Sequence, residues 1–263
     1  MRAFLDTTIL ADAILKDRAT RHRTITVLKA FKRVEFPAFA LKELRCGPLA
    51  TYRLLHNYLA EERSFLRALS RVHALSRTPR RNSASTIIEA WQRAEEDLFA
   101  DPRRGARPND QERADELRFH LQRLVLSADR RLEQLPGTPT FPLRCSVPSE
   151  IRVLPNGLLA QAAKPCNHGS CELAEYFRDM DVELELLIRA IESQPDIPEH
   201  TKRLKALHRL KADHRLDDPN CRALGDAVFV LLAPPNFVIL TTNVKHHAIL
   251  AEALGKVARA PYD

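Results

Sequence analysis

Two short apolar runs, at residues 3–5 and 237–240, are typical of buried strands because each is too short for a helix and is flanked by polar residues. Asp6 follows the first run directly and Thr241 follows the second. A third apolar run, residues 227–233, predicts a buried helix that is headed by Asp226 and stopped by prolines. Ligands bind at the carboxyl ends of strands in open parallel sheets. The pattern therefore predicts an acidic, hydroxyl-bearing cluster at one sheet edge.

A second strand and its following helix repeat this arrangement in the first part of the chain. Residues 34–39 predict a strand that ends near Pro37, and the helix after it carries Glu43 in its first turn. Thr7 and Thr8 are candidate caps for the first helix. The second strand thus also delivers a carboxylate near its carboxyl end.

The pattern predicts further elements downstream of Glu43. Helical spacing continues over residues 52–69, and the apolar run 72–75 suggests a third short strand. Further helices are expected over 109–135 and 173–191, with a hairpin near 151–154 in the proline-rich stretch between them.

The domain organisation follows from where these patterns change. Basic, polar breaks and helical spacing occupy residues 77–204, whereas the strand patterns lie on both sides. We therefore expect an α/β fold with a discontinuous core, residues 1–76 and 205–263, and a mainly helical insertion over residues 77–204. The core should contain a short-stranded parallel sheet.

Composition and charge narrow the class of protein. The chain has 263 residues, of which 44% are hydrophobic, and a net charge of +7. A positive excess is compatible with a nucleic-acid partner, and the basic stretches 77–81 and 103–107 are candidate phosphate-tracking surfaces, although such runs are usually solvated faces. Five cysteines, an odd number, argue against a secreted disulfide framework. With no apolar run near the ~20 residues of a membrane span, we expect a cytoplasmic protein without membrane contact.

The candidate chemistry rests on three carboxylates and one amide. Asp6, Glu43 and Asp226, with Asn243 after the last core strand, are the oxygen donors that Mg²⁺ and Mn²⁺ prefer. A metal held there would polarise a phosphodiester and activate water. The alternative for each acid alone is a structural role at a helix N-terminus.

Four segments that contain these residues resemble, in order and spacing, the motifs of PIN-domain proteins, which include the VapC-type toxins. They are Phe4-Leu-Asp-Thr-Thr-Ile-Leu10, Pro37-Ala-Phe-Ala-Leu-Lys-Glu-Leu-Arg-Cys-Gly47, Gly225-Asp-Ala-Val-Phe-Val-Leu-Leu-Ala233 and Ile239-Leu-Thr-Thr-Asn-Val-Lys-His-His247. The resemblance covers roughly residues 1–76 and 205–260.

The resemblance implies a PIN-like α/β/α sandwich and a Mg²⁺- or Mn²⁺-dependent nuclease that acts on single-stranded RNA. The family's acidic positions fall on Asp6, Glu43, Asp226 and Asn243, the first three as metal ligands. In the family's pattern Thr8 replaces the usual Asn or Ser, and Thr8 and Thr241 are expected to orient these groups by hydrogen bonds. Asn243 stands where an acid is more usual, which removes one charge from the expected metal site. A homodimer and a protein antitoxin are further expectations from the resemblance.

A second candidate metal site lies in the middle region. Cys145, Cys166, His168 and Cys171 have the ligand types of a Cys₃His zinc site, but their spacing is irregular and free thiols are the simpler interpretation.

Cys46 and Cys221 are interpreted as packing residues, and His246-His247 as a solvent-facing pair, although contact with metal or substrate is an alternative for the histidines.

Three further functions compete with an endoribonuclease. A catalytically silent PIN-like module would bind RNA without cleaving it. A nuclease with the same catalytic site but a different substrate channel would act on DNA. The third function lies in the insertion, which would serve as a helical platform for protein interaction. A toxin of a toxin–antitoxin pair and a defence or RNA-processing nuclease are both compatible settings for the leading hypothesis.

Overall fold

The fold is α/β, with many helices around one small parallel sheet. It was analysed as a computed structural model that describes residues 1–75, 81–99, 108–136, 145, 150–162, 171–195 and 197–262. The described strands are β1 (Arg2–Leu5), β2 (Arg33–Glu35), β3 (Arg152–Val153), β4 (Leu159–Ala160), β5 (Phe237–Leu240) and β6 (Val257–Arg259). The predicted α/β class is therefore confirmed.

The main sheet has the strand order β2-β1-β5-β6, and all of its neighbouring strands are parallel. From β1 the chain moves outward to β2, and from β5 it moves outward in the other direction to β6. The connections therefore diverge between β1 and β5, which is where open parallel sheets form a binding crevice. The short apolar runs predicted as strands at both ends of the chain form this central pair.

Helices surround the sheet and, together with the β3–β4 hairpin, form the described elements of the middle region. They are α1 (Thr7–Ile14), α2 (Arg18–Lys29), α3 (Ala38–Cys46), α4 (Pro48–Glu62), α5 (Phe65–Leu75), α6 (Arg81–Phe99), α7 (Asp110–Leu126), α8 (Ala128–Glu133), α9 (Glu172–Phe177), α10 (Asp181–Glu192), α11 (Pro198–Asp213), α12 (Asp218–Leu224), α13 (Asp226–Leu232) and α14 (Val244–Ala253). The middle helices pack on the flanking ones, with α7 lying along α4 and α10 against α14.

One hydrophobic core joins the sheet to these helices. The strands β1 and β5 are almost completely buried, as expected for a parallel sheet covered on both faces. Phe39 of α3 and Phe229 of α13 meet edge to face, with ring centroids 5.4 Å apart. This packing fixes α3 and α13, which carry Glu43 and Asp226, relative to each other.

Two element boundaries near the first strands differ from the sequence prediction. Asp6, rather than Thr7 or Thr8, caps α1, because its Oδ1 accepts a hydrogen bond of 2.6 Å from the Thr7 backbone N–H. The helix that carries Glu43 begins directly after Pro37, so Glu43 lies in its second turn rather than its first.

The predicted strand at 72–75 is wrong. These residues finish α5, whose buried side chains Phe65, Ala68 and Val72 follow helical spacing. The single helix expected over 52–69 is divided into α4 and α5, because Arg63 adopts a left-handed conformation with φ of 48° and ends α4.

The remaining predicted elements are confirmed with adjusted boundaries. The hairpin near 151–154 is formed by the antiparallel strands β3 and β4. The helix expected over 109–135 begins with a capping box between Asn109 and Glu112 and is divided at Ser127. The helix expected over 173–191 is likewise two helices, α9 and α10. Among the described residues, no helix has both the length and the apolar character needed to cross a membrane.

Candidate active site at the end of strands β1 and β5

Asp6 and Thr241 lie side by side at the carboxyl ends of the two central strands. The register pairs Leu5 with Leu240, so the next residue of each strand emerges at the same point of the sheet edge. The Asp6 backbone N–H donates to the Leu240 carbonyl at 3.0 Å and extends the pairing by one residue. The site therefore begins at the crevice where the connections of the sheet diverge.

The Asp6 carboxylate is buried and is held by uncharged donors. Its Oδ2 accepts hydrogen bonds from the Thr8 hydroxyl at 2.9 Å and the Thr241 hydroxyl at 2.7 Å. These hydroxyls accept in turn, Thr8 from the Thr242 N–H at 3.1 Å and Thr241 from the Asn243 N–H at 2.9 Å. Both threonines thus connect Asp6 to the turn that follows β5 and fix the carboxylate without neutralising its charge.

Glu43 joins the cluster through Thr7, the residue after Asp6. The Thr7 hydroxyl donates to Glu43 Oε2 at 2.6 Å. Burial raises the pKa of Glu43 to about 7, the Thr7 hydrogen bond opposes that shift, and the negative charges of Asp6 and Asp226 add to it. Asp6 and Asp226 therefore each lie close enough to Glu43 to disfavour its negative charge.

Asp226 stands at the first position of α13, after a turn made by Gly225. Gly225 has φ of 45°, a conformation that side-chain-bearing residues rarely adopt, and it separates α12 from α13. The Asp226 Oδ2 accepts a hydrogen bond of 2.9 Å from Arg203 Nη2 of α11. Both side chains are mostly buried, so this is a charged pair that water screens only in part.

His247 lies between the two aspartates and is completely buried, contrary to the expected solvent-facing pair. Its Nδ1 donates to the Asn243 carbonyl at 3.3 Å and lies 3.8 Å from Asp226 Oδ1. Its Nε2 lies 4.0 Å from Asp6 Oδ2 and has no hydrogen-bond partner among the described residues. The imidazole therefore bridges the two halves of the cluster.

Asn243 contributes mainly through its backbone. It caps α14, but its side chain makes no capping hydrogen bond. Its N–H binds Thr241 and its carbonyl binds His247, so it holds two neighbours of the Asp6 carboxylate in place.

No known protein family, curated protein or solved structure matches this chain. The site is therefore interpreted from its own geometry, and the PIN-domain resemblance of its four motifs remains a hypothesis.

The chemistry of the donor set fits a hard divalent cation. Asp6 and Asp226 both repel the charge of Glu43, and a cation beside Glu43 would relieve the repulsion that helps to raise its pKa. In the part of the chain that the structure describes, however, no three Asp, Glu, His or Cys side chains are gathered closely enough to hold a metal ion as they stand. Asp226 is instead paired with Arg203, whose guanidinium donates to its Oδ2.

A cavity of about 510 Å³ opens beside this cluster at Thr8 and Thr242. It runs between α1, α4 and α6 and is lined by Lys16, Tyr52 and Arg93. Two cationic side chains and one aromatic ring next to an acidic cluster are the residue types that bind a nucleic-acid strand.

Arg203 is the site residue that the sequence analysis missed, and His247 is one for which it preferred a solvent-facing position over contact with the site. Arg203 occupies the apolar stripe of α11 together with Ala206 and Leu210, and an arginine in such a stripe signals a buried partner. His247 lies four residues after Asn243 and therefore on the same face of α14. Both signals were present in the sequence.

The remaining candidate residues lie away from this site or outside the described residues. Cys166 and His168 of the expected zinc site are not among the described residues, whereas Cys145 and Cys171 are half-buried and form no disulfide with another described cysteine. The packing role of Cys221 is confirmed by its burial, but that of Cys46 is wrong because Cys46 is exposed.

The basic stretches fall largely outside the described residues as well. Of residues 77–81 and 103–107, only the backbone of Arg81 is described, as the first residue of α6. Among the described residues, Arg203 is the cationic group within the acidic cluster, and Lys16 and Arg93 line the cavity beside it.

Proposed function

We propose that this chain is a PIN-like, Mg²⁺- or Mn²⁺-dependent endoribonuclease that hydrolyses phosphodiester bonds in single-stranded RNA. The observation that carries the proposal is the position of Asp6, Glu43 and Asp226 near the divergence point of a parallel sheet, where the charges of Asp6 and Asp226 both act on Glu43. The four-stranded parallel sheet between helices supports the proposed PIN-like α/β/α sandwich.

The proposed metal ligands are Asp6, Glu43 and Asp226, with Asn243 assisting by its amide oxygen or a bound water. A bound cation supplies Lewis acidity and lowers the pKa of an attacking water. Thr8 and Thr241 orient Asp6 by donating to its Oδ2, and the Thr7 N–H donates to Oδ1, which leaves one acceptor site on Oδ1 for a ligand. Glu43 must release its proton before it can act as a ligand.

The cavity beside Thr8 and Thr242 provides an approach for the strand. Lys16 and Arg93 offer positive charge to the phosphates, and the nearly buried Tyr52 lines the same cavity. Glu89 also lines the cavity and forms an ion pair with Arg93 at 4.0 Å. Asp12 also lines this cavity and forms an ion pair with Lys16 at 3.8 Å. A strand phosphate would therefore compete with Asp12 for Lys16.

The test is cleavage of an end-labelled single-stranded RNA in Mn²⁺, in Mg²⁺ and in EDTA, with a DNA of the same sequence alongside. We compare the wild type with Asp226→Asn and with Asp115→Asn, an exposed aspartate of α7 that serves as the matched control. The proposal predicts RNA products that require metal, persist in the control and disappear in Asp226→Asn. Equal cleavage by Asp226→Asn and the wild type would refute it.

A second candidate function is an RNA-binding module without catalysis, and the pairing of Asp226 with Arg203 favours it. A charged pair at the metal position would oppose cation binding. This candidate predicts intact RNA with every cation, together with binding that weakens steeply as salt increases.

The same assay distinguishes an RNA substrate from a DNA substrate. Preferential cleavage of the DNA would make the chain a deoxyribonuclease that uses the same carboxylates.

The proposal also includes two expected partners, a second copy of the chain in a homodimer and a protein antitoxin that covers the site. Light scattering of the purified protein tests for the homodimer. A defence or RNA-processing role would require the same chemistry without an antitoxin.

A further inference from the structure

A second cavity, of about 170 Å³, lies behind Arg203 and is lined by basic side chains. Arg203 and His200 come from α11, and Lys245 and His246 come from the first turn of α14. Its remaining described lining residues are apolar except for Gln194, and none is a carboxylate. The cavity is therefore positive, although the acidic cluster is its immediate neighbour.

Arg203 connects the cavity to the acidic cluster. Its Nη2 binds Asp226, whereas its Nε has no hydrogen-bond partner among the described residues. The residue is only 8% exposed, so that N–H cannot rely on bulk water. A buried, unpartnered donor of a charged group is costly, and an acceptor inside the cavity would remove that cost.

The remaining basic groups point to an anion as that acceptor. Lys245 is exposed and His246 is half-buried, so both can approach a ligand that enters from solvent. They occupy the first turn of a ten-residue helix, whose free N–H groups also favour negative charge. At about 30 Å³ per water-sized group, the cavity has room for a phosphate group.

We propose that this cavity, with Arg203, Lys245, His246 and His200 as its basic wall, binds a phosphate of the nucleic-acid strand next to the bond that is cleaved. The inference rests on the proposed function, since the strand it binds is the proposed substrate. Arg203 and the α10–α11 part of the middle region thereby become part of substrate recognition. Arg203 holds Asp226 on one side and a strand phosphate on the other.

The experiment measures binding of a fluorescent single-stranded RNA in EDTA, so that it does not depend on cleavage. We compare the wild type with Lys245→Ala/His246→Ala and with Lys205→Ala/His208→Ala, which removes one lysine and one histidine from the exposed face of α11. The cavity variant should bind about tenfold more weakly, and its log–log salt slope should fall by about 0.7 for each lost phosphate contact. The control variant should retain the wild-type slope.

Inorganic phosphate, compared with chloride at equal ionic strength, serves as a competitor. It should displace RNA from the wild type and have a smaller effect on the cavity variant. Thermal unfolding establishes that the variants are folded, and Lys245→Glu, a single exposed change, should weaken RNA binding further than Lys245→Ala.

The outcomes distinguish this inference from the nuclease proposal. Weakened RNA binding with a reduced slope supports the subsite even when no RNA is cleaved in Mn²⁺. An unchanged slope and unchanged phosphate competition in the cavity variant would overturn the subsite, even when the wild type cleaves RNA.

Discussion

The two aspartates of the site are stabilised by different means. Asp6 is held by a backbone N–H and two threonine hydroxyls, all uncharged, whereas Asp226 is paired with the charged guanidinium of Arg203. The Asp6 side therefore keeps its negative charge available for a ligand. The Asp226 side is already neutralised within the protein, so a cation has to share Asp226 with Arg203.

This difference shows how the protein itself lowers the cost of gathering like charges at the sheet edge. Arg203 compensates the negative charge of Asp226. The raised pKa of Glu43 favours its protonated, uncharged form, which removes a second negative charge from the cluster. We therefore expect loss of the Asp6 charge to affect cleavage most, whereas loss of Arg203, the partner of Asp226, should affect stability and the response to metal.

The largest expected effect is that of Asp6→Asn on cleavage. The change keeps the size of the side chain but removes the charge that its neutral neighbours preserve. We expect at least a ~100-fold loss of Mn²⁺-dependent RNA cleavage, as for removal of a group that stabilises charge in a transition state. Initial rates with the labelled RNA measure this, and a rate within about threefold of the wild type would show that Asp6 is structural only.

The next largest effect concerns Arg203→Met, which removes the charged partner of Asp226 and retains much of the side-chain volume. In EDTA the free energy of unfolding should fall by about 2–3 kcal/mol, because a mostly buried carboxylate loses its partner. Mn²⁺ should then raise the melting temperature of this variant more than that of the wild type. An equal Mn²⁺ response in both proteins would contradict competition between Arg203 and the cation.

A pH-dependent effect follows from Glu43, whose pKa is raised from 4.5 to about 7. The unfolded chain releases this proton at lower pH than the folded protein does, so the contribution of Glu43 to stability is greatest below pH 4.5. It is lost as the pH rises through 7. Between about pH 5 and about pH 8.5 in EDTA, the wild type should lose about 2 kcal/mol more stability than Glu43→Gln.

Denaturant unfolding at the two pH values measures this difference, with Glu252→Gln, on the exposed surface of α14, as the control. The control should follow the pH dependence of the wild type. If Glu43→Gln also follows it, then the proton on Glu43 does not contribute to the stability of the site.

The smallest expected effect is that of Thr241→Val, a change that keeps the shape of a completely buried side chain. It removes one donor to Asp6 and leaves the Asn243 N–H without its acceptor, which should cost about 1–2 kcal/mol of stability. Thr26→Val removes an exposed hydroxyl that donates to the His22 carbonyl, and it should cost less. Equal losses in the two variants would show that the Thr241 network adds nothing specific.

The sheet and part of the site could be predicted from the sequence because they depend on local patterns. Short apolar runs bounded by polar residues predicted β1 and β5, and parallel pairing then placed Asp6 beside Thr241. The run at 72–75 was misassigned because four apolar residues fit a strand as well as the end of an amphipathic helix.

The charge balance of the site could not be predicted in the same way. Arg203 and Asp226 are 23 residues apart, on different helices, and their contact depends on how α11 packs against α12. Likewise, the burial of His247 results from the packing of α14 against α13. Such contacts are set by tertiary packing, of which residue spacing gives only a hint.

The most direct test of the proposed centre is Mn²⁺ binding followed by electron paramagnetic resonance in the wild type and in Asp6→Asn, with Asp115→Asn as the control. We expect saturable Mn²⁺ binding in the wild type and the control, and at least a ~10-fold weaker affinity in Asp6→Asn. Equal Mn²⁺ affinity in all three proteins would contradict a metal centre at the ends of β1 and β5.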